Sequence, residues 1–420
     1  MVDLMSKVKD ESLAKQGRLK IELAQASMPV LMKLRDIHSK ARTLDGIRIT
    51  GCLHVTKETA VLVETLKAAG AIVAWSGCNP LSTQDDVAAA LAANAIDVYA
   101  WRGLSSEEYY WCIDETLKIK PQFTLDDGAD LIFTVHTKRT EYLAGLQGGT
   151  EETTTGVHRI RAMAKDGKLM YPIIAVNDAA TKSSFDNVYG TGQSALDGII
   201  RATNVLLSGK NVVVGGYGHC GTGIASRSRG MGANVIVTEV DPIKALQARM
   251  DGYTVMEMKD AARHGDVFIT ATGCKNVITK EHMAVMKDGA ILSNAGHFNV
   301  EVSVEDLESI AKSKREVRDN NMEYTLADGR KLHLLGEGRL VNLAAAEGHP
   351  SEVMDMSFAN QFLSIVRLVK ESKGMKPDVY EISKEQDQQV ARLKLESMSI
   401  SIDTLTPDQE KYLTGWEEGT

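Results

Sequence analysis

The chain has 420 residues, 43% hydrophobic and 25% charged, with 56 acids against 48 bases and a net charge of −8. That length suits two or three ordinary domains, and the composition is that of a folded chain. The acid excess and the 5% aromatic content disfavour a general nucleic-acid binder, and no apolar run is long enough to span a bilayer.

The N-terminus has no apolar signal region, which reads as cytoplasmic. Cys52, Cys78, Cys112, Cys220 and Cys274 form no CxxC pair. Neither a disulfide framework nor a metal site is expected.

The first 45 residues read as helical, with Pro29 opening a second helix. Short apolar runs then alternate with helical stretches. Strands are expected at Ile47–Ile49, Ile72–Trp75, Ile96–Ala100 and Leu131–Val135. Helices are expected at Thr56–Ala69, Asp85–Asn94 and Glu107–Ile119. This βαβα series predicts a parallel sheet. The string TKSSFDNVYGTG, between Ala180 and Gly192, is polar and turn-rich and reads as an interdomain linker, with a second hinge near Gly348–Pro350. A helix over Ser194–Leu207 starts a second series, whose strands are expected at Asn211–Val214, Val235–Thr238, Val267–Thr270 and Ala290–Ser293. Two α/β sheets follow from this pattern, and a charged helix is expected over Asp387–Leu395.

The second series opens on VVVGGYGHCG, a β-branched strand followed by Gly216-x-Gly218-x-x-Gly221, and its next strand ends at Glu239. The glycines allow a tight turn and a close approach to pyrophosphate, the following helix points its N-terminus at the phosphates, and the acid meets a ribose. An acid rather than an arginine at Glu239 favours NAD over its 2′-phosphorylated form. The first series carries polar residues at expected strand ends: His54, Asn79, Ser82 to Asp85, Asp126, Asp127, His136, and the cluster Glu151 to Gly156. Asp178, Lys182, Asp186 and Asn187 crowd the linker. Each alone reads as a cap, a turn or solvated charge. Their recurrence at strand ends points to a ligand cleft.

The strings GCLHVTKETAVL, NPLSTQDD, LDDGADL, EETTTGVHR, KSSFDNVYG, GYGHCGTG, ITATGC, NAGHFNVE, GRLVNL and GHPSEVM resemble the S-adenosyl-L-homocysteine hydrolase family, from about Lys15 to Leu413. The resemblance implies an α/β fold of two Rossmann-like, doubly wound parallel-sheet domains, a split substrate domain plus an NAD domain, with a short C-terminal helical segment. Its expected bounds are 1–185 and 348–386 for the substrate domain, 186–347 for the NAD domain and 387–420 for an oligomerisation and cofactor segment. The implied activity is reversible hydrolysis of S-adenosylhomocysteine to adenosine and homocysteine. Bound NAD serves a transient 3′-oxidation, after which C4′ deprotonation, β-elimination, water addition and re-reduction follow. A homotetramer with no nucleic-acid or membrane partner is implied.

Carried over by position, the resemblance gives Lys182 and Asp186 to the ribose 3′- and 2′-hydroxyls and Asp127 and His54 to acid/base work near C5′ and C4′. It gives Glu152 to the ribose and Asn187 to the nicotinamide end. His297 shapes ligand binding and closure, Thr56 and Glu58 meet the base, and His349 stands at the gate between domains. Cofactor contacts fall to Thr153, Thr154, Thr155, Asn187, Gly216, Gly218, His219, Cys220, Gly221, Glu239, Asn276 and Asn342. Thr191 stands where the family often has a cysteine, His219 where an acid is common, and the lysine- and tyrosine-bearing tail of many members has no counterpart before Thr420. The alternative substrate is S-inosylhomocysteine, against which Glu58 argues as an acceptor suited to an exocyclic amine.

Overall fold

The structure is a computed structural model and describes residues 6–416. The last residues of the tail, 417–420, on which part of the expectation about its length falls, lie outside the described residues.

Two eight-stranded sheets organise the described residues. In the first, strands Lys7–Val8, Asp97–Ala100, Ile72–Ser76, Arg48–Cys52, Phe123–Asp126, Gly148–Glu151, Ile173–Ala175 and Val379–Glu381 lie side by side, all parallel. The last strand comes from the far end of the sequence. The chain leaves the first sheet, builds the second, and returns.

The second sheet runs Thr254–Val255, Asn234–Thr238, Asn211–Gly215, Val267–Thr270, Ala290–Asn294 and Lys331–Leu335 in parallel, then adds Asn321–Leu326 and Ala311–Arg318 antiparallel. Alternation along its strands shows why it is covered on both faces. Val212 and Val214 enter one apolar layer and Val213 the other; Val267 and Ile269 enter one and Phe268 the other. The first sheet is covered likewise. Among the described residues no helix is long and apolar enough to cross a membrane.

Most expected elements lie where the sequence puts them. Pro29 opens the helix Pro29–Ala41. Thr56 caps Lys57–Ala68 by accepting from the Thr59 amide, and Lys384–Ser397 is helical. Two expectations are overturned. The segment Leu131–Val135 is not a strand but part of the helix Asp130–Thr137. Leu131, Ile132 and Val135 are buried, and in a run this short period alone cannot separate helix from strand. Here Ala129 turns the chain at φ 64°, and the Asp126 carboxylate accepts from the Ile132 amide at 2.8 Å, which starts the helix. The true strand is Phe123–Asp126, so Asp126 ends a strand instead of preceding one, and His136 lies in the helix's last turn.

The second correction concerns the linker between Ala180 and Gly192. It is helical throughout most of its length, in Ala180–Ser183, the wide turn Asp186–Gly190 and the start of Thr191–Thr203. Its polar side chains Lys182, Asp186 and Asn187 are buried. Asp387 of the C-terminal helix fixes it by accepting from the Ala180 and Thr181 amides at 2.7 and 2.9 Å.

Candidate active site

The cleft lies between the two sheets, beyond the carboxyl ends of their strands, where such sheets bind ligands. His54 follows Arg48–Cys52, Asp127 follows Phe123–Asp126, Glu152 follows Gly148–Glu151 and His297 follows Ala290–Asn294. The helix Ser351–Glu371 adds Ser357 and Gln361.

One cluster centres on Asp127. Its Oδ2 lies 3.4 Å from His54 Nε2 and its Oδ1 3.4 Å from His297 Nδ1. Cys78 Sγ donates to Oδ2 at 3.6 Å. His297 reaches this point only because residue 128 is glycine: φ there is +99°, and a Cβ would lie 2.3 Å from the imidazole. Burial keeps the His54 imidazole down at about 4, outweighing the nearby Asp127 charge, so the ring is neutral at physiological pH. His54, Cys78 and Asp127 bring a nitrogen, a sulfur and an oxygen within 4.8 Å of one another. Their mutual contacts account for that grouping without an ion.

A second cluster centres on Lys182. Its ammonium lies 3.0 Å from Asp186 Oδ2 and 3.7 Å from Glu152 Oε1, and donates to Asn187 Oδ1 at 2.7 Å. Burial works against this charge, but Asp186 and Glu152 outweigh it and hold Lys182 above its ordinary range. Burial likewise opposes the Asp186 carboxylate, and Lys182 and His349 overcome it, so Asp186 stays ionised. Asp186 also accepts from Ser357 Oγ at 3.1 Å and pairs with His349 Nδ1, whose Nε2 meets Thr191 Oγ1 at 3.2 Å. The hydroxyl at Thr191 thus completes a chain from Lys182 to Cys220, on whose sulfur it lies 3.6 Å away.

Glu152 is the soft member of this cluster. Gln361 Nε2 donates to its Oε2 at 2.5 Å and is itself steadied by Thr150. Burial pushes its carboxyl up to about 8, only partly offset by Lys182. An acid raised in this way adds stability below its ordinary 4.5 and loses it as pH rises through about 8. The melting temperature of Glu152→Gln relative to the native protein is therefore expected to rise between about pH 4.5 and pH 8 and then level off. A flat difference across that range, followed by differential scanning calorimetry, would show that Glu152 does not take up its proton here.

The glycine-rich turn tests whether a dinucleotide fits. Gly216 has φ +95° and its added Cβ would come 2.9 Å from the Ala271 carbonyl; a Cβ on Gly221 would lie 2.0 Å from Gly216 O. A Cβ on Gly218 would meet nothing, so that glycine faces open space. Gly218 precedes the helix His219–Gly230 and no side chain caps it, which leaves the first-turn amides for an anion. Glu239 accepts from the Tyr217, Val240 and Asp241 amides. That leaves capacity on its two oxygens for a ribose hydroxyl. Asn342 Oδ1 is buried at the cleft without a partner, as a nicotinamide carboxamide would require. These residues fit NAD.

The cleft also gathers Thr56, Glu58, Thr153, Asn187, Cys220 and His349. Thr154 lies just behind, donating to Asn177. Thr155 Oγ1 is buried without a partner, and its methyl faces Gly273 on the cofactor-side loop. Asn276 sits on an exposed part of that loop with φ 56°. Residues not singled out from the sequence include Gln361, Ser357 and Glu301. Buried Glu301 accepts from the Thr272 amide and hydroxyl and from the Gly273 amide, fixing the loop after Val267–Thr270. An acid inside the apolar-flanked string NAGHFNVE was the available signal.

A family model described as the NAD binding domain of S-adenosyl-L-homocysteine hydrolase matches residues 187–348, and one described as S-adenosyl-L-homocysteine hydrolase matches residues 5–144. The S-inosyl-L-homocysteine hydrolase of Methanococcus maripaludis is 56% identical over 99% of this chain and 100% of its own length. The adenosylhomocysteinase of Aeropyrum pernix is 58% identical over 98% of this chain and 99% of its own. The S-inosyl-L-homocysteine hydrolase of Methanocaldococcus jannaschii is 56% identical over 99% and 100%. Likeness of this extent places the chain in the S-adenosyl-L-homocysteine hydrolase family: it is an NAD-dependent hydrolase that splits a homocysteine thioether into homocysteine and a nucleoside.

Proposed function

We propose that the nucleoside is inosine, so that the substrate is S-inosyl-L-homocysteine, and that the two charged clusters divide the chemistry between oxidation and elimination. Lys182, Asp186 and Glu152 hold the ribose hydroxyls, with Lys182 taking part at the 3′-oxygen. Bound NAD supplies the acceptor and later donor of the 3′-hydride. The ketone acidifies C4′, and Asp127 with His54 then moves protons. In elimination the pair receives the proton leaving C4′ and delivers one to sulfur as the C5′–S bond breaks. In addition it takes one from water as the O–C5′ bond forms and returns one to C4′. The pair ends each half with the proton it began with. His297 and His349 close the cleft, and Asn187 and Thr153 face the nicotinamide.

The observation that admits inosine is the state of Glu58. Its Oε1 is taken by Ser351 Oγ at 2.6 Å and Lys57 Nζ at 3.3 Å, leaving Oε2 as an acceptor beside the hydroxyls of Thr56 and Thr59. The sequence argument that Glu58 speaks against inosine fails on its chemistry. Hypoxanthine carries an N1–H donor next to its O6 acceptor, so a carboxylate can take N1–H while a threonine hydroxyl serves O6. Adenine offers a donor and acceptor in the opposite order, and this corner alone can serve both. The whole-length likeness to the two methanogen proteins named S-inosyl-L-homocysteine hydrolase tips the reading to inosine. The second reading, adenosine, is favoured by the relative from Aeropyrum pernix.

Synthesis with homocysteine and either nucleoside tests this. A site built to hydrogen-bond one base edge rejects the other strongly, by up to about 10⁴-fold. The expected result is kcat/KM for inosine at least about 10²-fold above that for adenosine. Equal or reversed values would assign adenosine.

The same reading takes 186–347 as the NAD domain, and 1–185 with 348–386 as the substrate domain. The return of Val379–Glu381 to the first sheet supports this. It takes 387–420 as a contact between copies in a homotetramer. In support, the helix Pro407–Thr414 buries none of its residues and exposes Tyr412 and Leu413.

A further inference from the structure

We propose that Ser82 is a positioning residue for His54: its hydroxyl oxygen accepts from Nδ1 and so leaves Nε2 as the unprotonated nitrogen that faces Asp127. This rests on the reading of His54 and Asp127 as the acid/base pair, and adds the group that sets its protonation pattern.

The geometry begins in the turn after Ile72–Ser76. Asn79 Oδ1 accepts from the Leu81 amide at 2.9 Å and closes the turn NPLS, which carries buried Ser82 under the imidazole. Ser82 Oγ lies 2.7 Å from His54 Nδ1 and 3.3 Å from the Asn79 carbonyl oxygen. A hydroxyl has one proton. The carbonyl can only accept, and in the arrangement proposed that proton goes to Asn79 O, so that toward the imidazole Ser82 accepts. His54 then carries its hydrogen on Nδ1, and in the neutral ring Nε2 presents a lone pair.

Nε2 points at Asp127 Oδ2 from 3.4 Å. A lone pair facing a carboxylate oxygen in a buried site is repulsive unless one proton lies between them. A proton taken up between them can pass from one to the other. With the other tautomer, Nε2–H already fills that position, and the ring accepts a further proton only at Nδ1, on the side away from Asp127. The hydroxyl of Ser82 thus keeps Nε2 open to accept and return a proton, as elimination and addition both need.

The groups facing His54 come from several elements. Asp127 and Cys78 follow strands of the first sheet, His297 follows a strand of the second, and His349 precedes the helix Ser351–Glu371. Of these only Asp127 meets Nε2 directly. A change at Ser82 alters the proton on this pair without adding or removing a charge.

The test uses the holoenzyme with four chains: native, Ser82→Ala, Ser82→Thr and His54→Gln. Single-turnover kinetics read ketone formation through the nicotinamide absorbance and elimination through homocysteine release. Removing a partner that orients a functional imidazole typically costs about 10- to 100-fold. Ser82→Ala is expected to slow elimination by that factor and to move the acid limb of its pH profile. Ketone formation, the internal control for folding, keeps its rate and profile. Ser82→Thr, which restores the hydroxyl, recovers both rate and limb. If His54→Gln slows elimination while Ser82→Ala leaves its rate and pH limb unchanged, or if Thr fails to rescue, the proposal is overturned and the acid/base reading survives. If His54→Gln itself leaves elimination untouched, the acid/base reading falls and Ser82's role with it.

Discussion

Lys182→Met is expected to stop the reaction at its first step. Methionine keeps the length of the side chain and removes the one cation among Asp186, Glu152 and Asn187. The 3′-oxygen then loses the group that organises its proton, and the carboxylates that flank it lose their counter-charge. Positioned proton transfer is worth about 10²–10⁴-fold, and the disruption of the surrounding hydrogen bonds places this variant at the upper end, about 10³-fold or more in the rate of ketone formation. Every later step falls with it, because elimination needs the ketone. Cofactor binding is expected to persist, since the turn carrying Gly216, Gly218 and Gly221 belongs to the other sheet, between Asn211–Gly215 and His219–Gly230. Breaking a buried ion pair by removing one partner commonly destabilises by about 3–5 kcal/mol. Asp186 keeps Ser357 and His349 and Glu152 can take up a proton, so the loss should lie at the lower end. Lys182→Arg is not expected to rescue: a planar fork cannot fill a pocket shaped for a point charge. Stopped-flow absorbance of the bound nicotinamide, with NAD content checked after gel filtration, decides the matter. A Met variant that oxidises its substrate at the native rate would remove Lys182 from the oxidation step.

The dinucleotide turn was legible because its constraint lies in the backbone. Gly221 cannot be anything larger with Gly216 O where its Cβ would sit, and such steric limits are written directly as glycines. The parallel strands Val267–Thr270 and Ala290–Asn294 were legible for a related reason, since both faces are buried and each run opens on consecutive apolar residues. The helix Asp130–Thr137 was not, because a short run with Leu131, Ile132 and Val135 buried reads the same in a helix as in a strand. The segment 180–192 misled in the opposite sense. Its polar residues resemble a solvated linker, yet they are polar because they build a buried charged cluster, and composition does not distinguish the two. The edge hairpin Ala311–Leu326 was hidden by its charges: an exposed outer strand rich in Lys and Arg discourages edge pairing and erases the apolar pattern. Gln361 meets Glu152 across 209 residues, and Ser82 meets His54 through a turn. No local pattern announces contacts of that kind, although both follow once the helix and the turn are placed.

Asp127→Asn separates the two halves of the chemistry. The substitution preserves shape, so the Cys78 contact and the turn at Gly128 have no steric reason to change. It removes the ability to take up a proton. The new amide would also donate to His54 Nε2, the lone pair that Ser82 leaves exposed, and would tie up the second member of the pair as well. Lys182 and Asp186 lie in the other cluster and are untouched, so ketone formation should continue and the reduced-nicotinamide absorbance should build up instead of decaying. Homocysteine release should slow by about 10²–10⁴-fold, the range for loss of a general acid or base. Exchange of the C4′ hydrogen with heavy water gives a third reading. If Asp127 accepts that proton, exchange slows in parallel with release; if another base accepts it and Asp127 serves only the leaving sulfur, exchange persists while release stalls. Loss of oxidation with normal elimination from a pre-formed ketone would reverse the assignment of the two clusters. Persistence of both rates would show that the cluster of His54, Asp127 and His297 binds the substrate without moving its protons.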